Sequence, residues 1–213
     1  MVASIPNDIF QFSTHSALAA GFNTGQPRTS DLTSHGTDGV GVYEDGSLLM
    51  LRDGDAYAIA KDGTANVAPM NARLPFAMVT TFAPSHRMAI PEIDMDALDD
   101  LATSSSLFQE IHMQSVNTLM PFKITGKFKS IDYLDGTSGS AIVHGVIFGF
   151  VVPKWMKAIS GPRIHAHFLD MHGKMGGKVV DFDTTEDATL CFARCGRFHL
   201  GFPQGGEWEE VRL

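Results

Sequence analysis

The sequence predicts an α+β, strand-rich fold, with a mixed sheet in its first part and an antiparallel sheet in its second. Three observations predict it. Short apolar runs bounded by turn residues recur along the chain, helical patterns are confined to a few segments, and strand patterning is nearly unbroken from Met120 onward.

The elements follow in order. Ser13-Thr-His-Ser-Ala-Leu-Ala-Ala-Gly21 reads as a short helix, with Ser13 or Thr14 accepting from the first-turn N–H groups and Gly21 ending it. Asp31 to Gly39 is polar and Gly-rich, hence loop. Val40–Tyr43 and Ser47–Leu51 flank the turn Glu44-Asp-Gly46, and a turn at Asp53-Gly54 leads into Ala56–Ala60, giving three antiparallel strands. Phe76–Phe82 is a further strand, Ile93–Ser105 is helical, and Phe108–Asn117 fits either state. Strands are then expected at Phe122–Tyr133, Ala141–Val152, Arg163–Leu169, Gly177–Phe182, Thr189–Ala193 and Phe198–Phe202. Lys154–Ile159, after Pro153, interrupts them as a helical turn. The chain therefore divides into a mixed α/β part over residues 1–118 and an antiparallel part over 119–213.

Composition narrows the function. With 213 residues, 44% hydrophobic and 19% charged, the chain can bury a full core. Its net charge is −8 and its basic residues are scattered, which argues against nucleic acid as a partner. No apolar run reaches the roughly 18 residues of a membrane span. The N-terminus shows neither a basic nor an apolar leader region, so a soluble, cytoplasmic protein is expected. Cys191 and Cys195 are the only cysteines. On a strand they would lie about 13 Å apart, too far for a disulfide, so two reduced thiols are expected.

The chemistry concentrates at His165-Ala-His167. Strand side chains alternate, so both imidazoles emerge on one face, about 6.6 Å apart, where a single divalent ion can bridge them. A catalytic zinc site needs a third protein ligand and an open position.

The segment Pro162-Arg-Ile-His-Ala-His-Phe-Leu-Asp170, a short loop, and Gly176-Gly-Lys-Val-Val-Asp-Phe182 resembles the acetolactate decarboxylase pattern of His-x-His-Phe followed by Gly-Gly-His-Val-Leu-Asp-Phe. Further blocks agree in order: Phe10-Gln-Phe-Ser-Thr14, His35-Gly36, Gly39–Tyr43, Leu74–Thr80, Phe122–Phe128, and Val146 through Lys157. The resemblance implies that family's fold and a homodimer. It also implies a zinc ion on three histidines that chelates the ketone and hydroxyl of a 2-hydroxy-3-keto acid, with a Glu and an Arg assisting. Two ligands match, His165 and His167. The third histidine position holds Lys178, the Glu position holds Ser47, the Arg falls near Leu134, and the loop before Ala141 is shorter.

Two sets of residues are candidates for the altered site. A desolvated Lys178 beside other cationic groups has a lowered pKa and can form a Schiff base with a ketone, an electron sink in place of zinc. Alternatively another side chain completes a metal site: His199, His35, His172 and Asp170 are available. Ser47 and His35 are further catalytic candidates, and Glu207, with Glu209 and Glu210, can bring a carboxylate over the cleft. Two functions compete. One is an enzyme acting on a keto acid or related carbonyl compound by decarboxylation, or by enolate proton transfer or rearrangement. The other is a catalytically silent small-molecule-binding protein.

Overall fold

A computed structural model describes residues 6–90, 92–106, 114–133 and 142–213. Two sheets stack face to face. The first has the strand order β13 (Phe198–Gly201), β1 (Ile9–Phe12), β6 (Phe76–Thr80), β2 (Asp38–Val42), β3 (Leu48–Arg52), β4 (Asp55–Ile59), β5 (Ala65–Val67), and the second β11 (Gly176–Thr184), β10 (Ile164–Asp170), β9 (Val143–Val151), β8 (Met120–Tyr133), β12 (Ala188–Phe192), β7 (His86–Ile90).

The first sheet is built where the turn chemistry requires it. β2 (Asp38–Val42), β3 (Leu48–Arg52) and β4 (Asp55–Ile59) form the expected antiparallel set, joined at Gly46 (φ +81°) and at Asp53 (φ +53°) with Gly54 (φ +94°). β5 (Ala65–Val67) extends that edge, and β6 (Phe76–Thr80) pairs with both β2 and β1 (Ile9–Phe12). After β1 comes α1 (His15–Ala19), with the Thr14 side chain accepting from Ala17 N–H and Gly21 in the left-handed region. The single turn α2 (Thr29–Leu32) packs Leu32 under the outer face of this sheet.

The second sheet contains β7 (His86–Ile90), the long β8 (Met120–Tyr133), β9 (Val143–Val151), β10 (Ile164–Asp170), β11 (Gly176–Thr184) and β12 (Ala188–Phe192). β11 pairs with β10 through Gly176, Gly177 and Lys178, then with β8 from Val179 to Thr184, with register shifts between Val179 and Asp181 and between Asp183 and Thr184. Strands β8 to β11 thereby close into a barrel-like unit filled by Phe122, Phe128, Phe168 and Phe182, and α3 (Met95–Ser104) covers its core with Leu98 and Ala102. Each such buried Phe contributes about 1.5–3 kcal/mol relative to exposure. α4 (Lys157–Ser160) follows a 3-10 turn at Lys154–Met156, and α5 (Gly206–Glu210) is the last helix.

The two sheets exchange strands across residue 118: β7 belongs to the second sheet and β13 (Phe198–Gly201) to the first. The first sheet is mixed and the second antiparallel, as expected: β13 runs parallel to β1 in the first sheet, with Ile9 opposite Phe198. Alternation told which face was apolar but not which partner would cover it, and Phe198 packs with Ile9 in the core between the sheets. Most of Phe108–Asn117 lies outside the described residues. Cys191 and Cys195 are free thiols. Among the described residues no helix is long and apolar enough to cross a membrane.

Candidate active site

β10 sets the site by alternation. Ile164, Ala166 and Phe168 enter the barrel core, whereas His165, His167 and Leu169 face the first sheet. Both imidazoles are buried, at 4% and 1% exposure, with ring centroids 6.2 Å apart.

Each ring is fixed by one hydrogen bond. His165 Nδ1 donates to Ser160 O (2.8 Å) and His167 Nδ1 donates to Leu49 O (2.9 Å). A carbonyl only accepts, so the proton sits on Nδ1 and each Nε2 offers a lone pair. Burial is the main reason both stay neutral. It pushes the His165 pKa down to about 4, with Lys178 and His15 adding to it, and that of His167 to about 3, with His165 and Lys178 adding. The hydrogen bonds to Ser160 and Leu49 oppose the shift without reversing it.

Lys178 stands directly opposite His167 across the β10–β11 pair, half-buried, and burial lowers its ammonium pKa. Beside it a cleft of about 410 Å³ opens between β10, β11 and α3, lined by Asp96, Asp99, Arg163, Ile164 and Val180 among others. Arg163 cannot take over the role of the missing Arg. Its guanidinium is spent on Asp99 Oδ1, Ser115 O, Val152 O and Thr103 Oγ1.

Two residues of the site escaped the sequence reading. His15, first residue of α1, lies edge-on to His165 with centroids 6.1 Å apart; burial, then Lys178 and Lys157, lower its pKa. Gln11 is fully buried, its Nε2 donating to Ser13 O and Ile159 O and its Oε1 accepting from Ser160 Oγ. It thus holds the residue whose carbonyl orients His165. Both belong to the Phe10–Thr14 block or its flank, so adjacency to that matched block was the available signal. Phe76 stacks on His165 at 5.6 Å and closes the site from the first sheet.

Other candidates fall elsewhere. His35 stacks on Phe10 (4.1 Å), and His199, opposite Phe10 in the β13–β1 register, is exposed and 3.8 Å from Asp8 Oδ2. Phe10 packs on the outer face of the first sheet, away from the second, so neither histidine shares a chamber with His165 and His167. His199 as third ligand is therefore corrected by strand parity. Ser47 is a turn residue, its N–H and Oγ–H both donating to Asp45 Oδ1 (2.9 and 2.6 Å). Glu207 accepts from Thr24 Oγ on the surface, and Glu209 and Glu210 are exposed on α5. Asp170 accepts from the loop N–H groups of His172, Lys174 and Met175, which organises that loop rather than a metal. Leu134 lies outside the described residues.

The donor set does not fit a catalytic zinc site. Two lone pairs are available, but the third position holds a lysine, which when protonated has none. Among the described residues no three His, Cys, Asp or Glu side chains are grouped so as to hold a metal.

The frame is that of a two-sheet protein with two buried histidines between its sheets and a half-buried lysine beside them. The family model for alpha-acetolactate decarboxylase matches residues 9–135 and 137–213, and the chain belongs to that family. It is 28% identical to the alpha-acetolactate decarboxylase of Methanosarcina mazei, over 96% of this chain and 75% of that one. It is 26% identical to that of Bacillus subtilis, over 97% and 86%. The solved structure of the Bacillus subtilis strain 168 enzyme superposes with a TM-score of 0.83 at 23% identity, covering 96% of this chain and 93% of that one. A Staphylococcus aureus protein of unknown function, similar to alpha-acetolactate decarboxylase, gives 0.81 at 21% identity, covering 96% and 97%. At these identities the two structures speak for the fold.

Proposed function

We propose that the chain is an acetolactate-decarboxylase-like enzyme that decarboxylates a small keto acid, with the Lys178 amine in the place of the family's third histidine. The family membership supports a decarboxylase-like lyase. The observation that carries the finer reading is Lys178, half-buried and directly opposite His167, where burial lowers its ammonium pKa and so eases loss of the proton that blocks attack.

The neutral Nζ adds to a ketone carbon, and loss of water with uptake of one proton from solvent leaves a protonated imine. If the carboxylate is on the adjacent carbon, its C–C bond breaks, the electron pair moves into the iminium, and carbon dioxide leaves. The enamine then takes a proton at carbon, and water releases the product ketone and Lys178. The Nε2 lone pairs of His165 and His167 accept from a substrate hydroxyl and orient it. The buried faces of His165 and His167 exclude water from one side of the imine.

The test is carbon dioxide release from 2-acetolactate by protein of measured metal content, with borohydride added to trap the imine. A stable adduct on Lys178 and its loss in K178M are expected; release without any adduct would sink the amine mechanism. A second reading, a catalytically silent binder of such acids, is favoured by one observation. Among the described residues no carboxylate is one of the groups that shift His15, His165, His167 or Lys178. Absence of both release and adduct, with 2-acetolactate still bound in calorimetry, would select it.

A further inference from the structure

One row of side chains crosses the second sheet. Lys178, His167, Phe148, Lys123, Cys191 and Arg87 are direct register partners on β11, β10, β9, β8, β12 and β7. Fully buried Phe148, packed edge-on against Phe82 and Phe150 at 5.5 Å each, splits this row in two. On one side lies the histidine–lysine site. On the other a separate cavity of about 470 Å³ is lined by Arg52, Asp53, Phe82, Arg87, Lys123 and Cys191, among others.

The charges in this cavity do not cancel. Lys123 Nζ bridges Asp38 Oδ1 (2.6 Å) and Asp53 Oδ1 (2.7 Å), so one cation meets both carboxylates. Among the described residues Arg52 is held by neutral groups alone: NH1 donates to Asp170 O (2.9 Å), NH2 to Tyr57 OH (3.1 Å), and the guanidinium carbon lies 4.9 Å over the Tyr57 ring. Arg87 is exposed and makes no ion pair among the described residues. Three cations against two carboxylates leave one positive charge, carried by guanidiniums that enter from the two sheets. A guanidinium fixed by neutral partners keeps its charge and spare N–H donors for an oxyanion, which it takes in bidentate geometry. Phe82, Val146 and Met171 give the chamber an apolar wall.

We propose that this cavity is a second binding site, for a compact oxyanion with a short apolar body, clamped between Arg52 and Arg87. Isothermal titration of the full chain with sodium isobutyrate and with inorganic phosphate tests it, the two arms separating a carboxylate from a phosphate ligand. Saturable binding of one of them at one site is expected. R87Q, and independently R52K, which keeps the charge but loses the fork, should weaken it about tenfold or more, as loss of a charge-assisted hydrogen bond does. K178M should bind as wild type, which separates this site from the histidine–lysine chamber. No saturable binding of either probe, undiminished binding by folded R87Q and R52K, or loss of binding in K178M would overturn the proposal.

Discussion

Lys178 faces His167 across an antiparallel pair at the position where the family pattern carries a histidine. While Lys178 carries its proton it contributes positive charge and no lone pair, which works against a divalent cation. K178H places a third imidazole beside two whose Nε2 lone pairs are already free. Zinc affinity, read by competition with a chromogenic chelator, should rise at least about tenfold. Decarboxylase activity should not rise with it, because Ser47 is tied to Asp45 and supplies no carboxylate.

Gln11 uses its side-chain amide on three partners inside the protein, and one of them, Ser160, bears the carbonyl that fixes His165. Q11L keeps the volume and strands Ser13 O, Ile159 O and Ser160 Oγ. Stability in urea should fall by about 3 kcal/mol or more, since three buried groups are left unpaired at about 1–3 kcal/mol each. The His165 ring NMR signals should broaden or shift more than those of His35, which stacks on the outer face.

Much of this was legible in the sequence, for definite reasons. Alternation in Ile164–Asp170 gave the shared face of His165 and His167, and turn residues gave β2 to β4. Pairing was not legible. β13 joins β1 and β7 joins β12, and a local pattern does not encode which distant edge a strand meets. The same gap misled the reading of His199 and His35, whose side of the first sheet depends on the register with Phe10. His15 was missed because a histidine in a capped first turn looks like a surface residue until α1 is laid against β10.

Gly161 stands between His15 and His165. A Cβ there would lie 2.8 Å from His165 Nδ1 and 3.0 Å from His15 Cδ2, and the residue has φ +105°. G161A therefore combines left-handed strain with displacement of a ring from its hydrogen bond to Ser160. Thermal unfolding should show a loss of about 1–3 kcal/mol. Turnover should fall by a larger factor than that loss implies at a temperature where the variant stays folded. Equal activity of folded G161A and wild type would show that His15 and His165 need not keep their spacing.

Lys123 links the two sheets through Asp38, which is 2% exposed. Burial works against its ammonium, but the hydrogen bonds and charges of Asp38 and Asp53 outweigh burial and raise its pKa. The sign follows from linkage. A lysine that holds its proton more tightly when folded contributes stability below its unfolded pKa of about 10.4, and that contribution is lost as pH rises through the folded value. Urea midpoints measured from pH 7 to 11 should be level at first and fall above about pH 10. K123M should be less stable by about 3–5 kcal/mol at pH 7, because it leaves the buried Asp38 carboxylate without its partner. Its own profile should fall less steeply above pH 10; an alkaline slope unchanged in folded K123M would assign that slope to other groups.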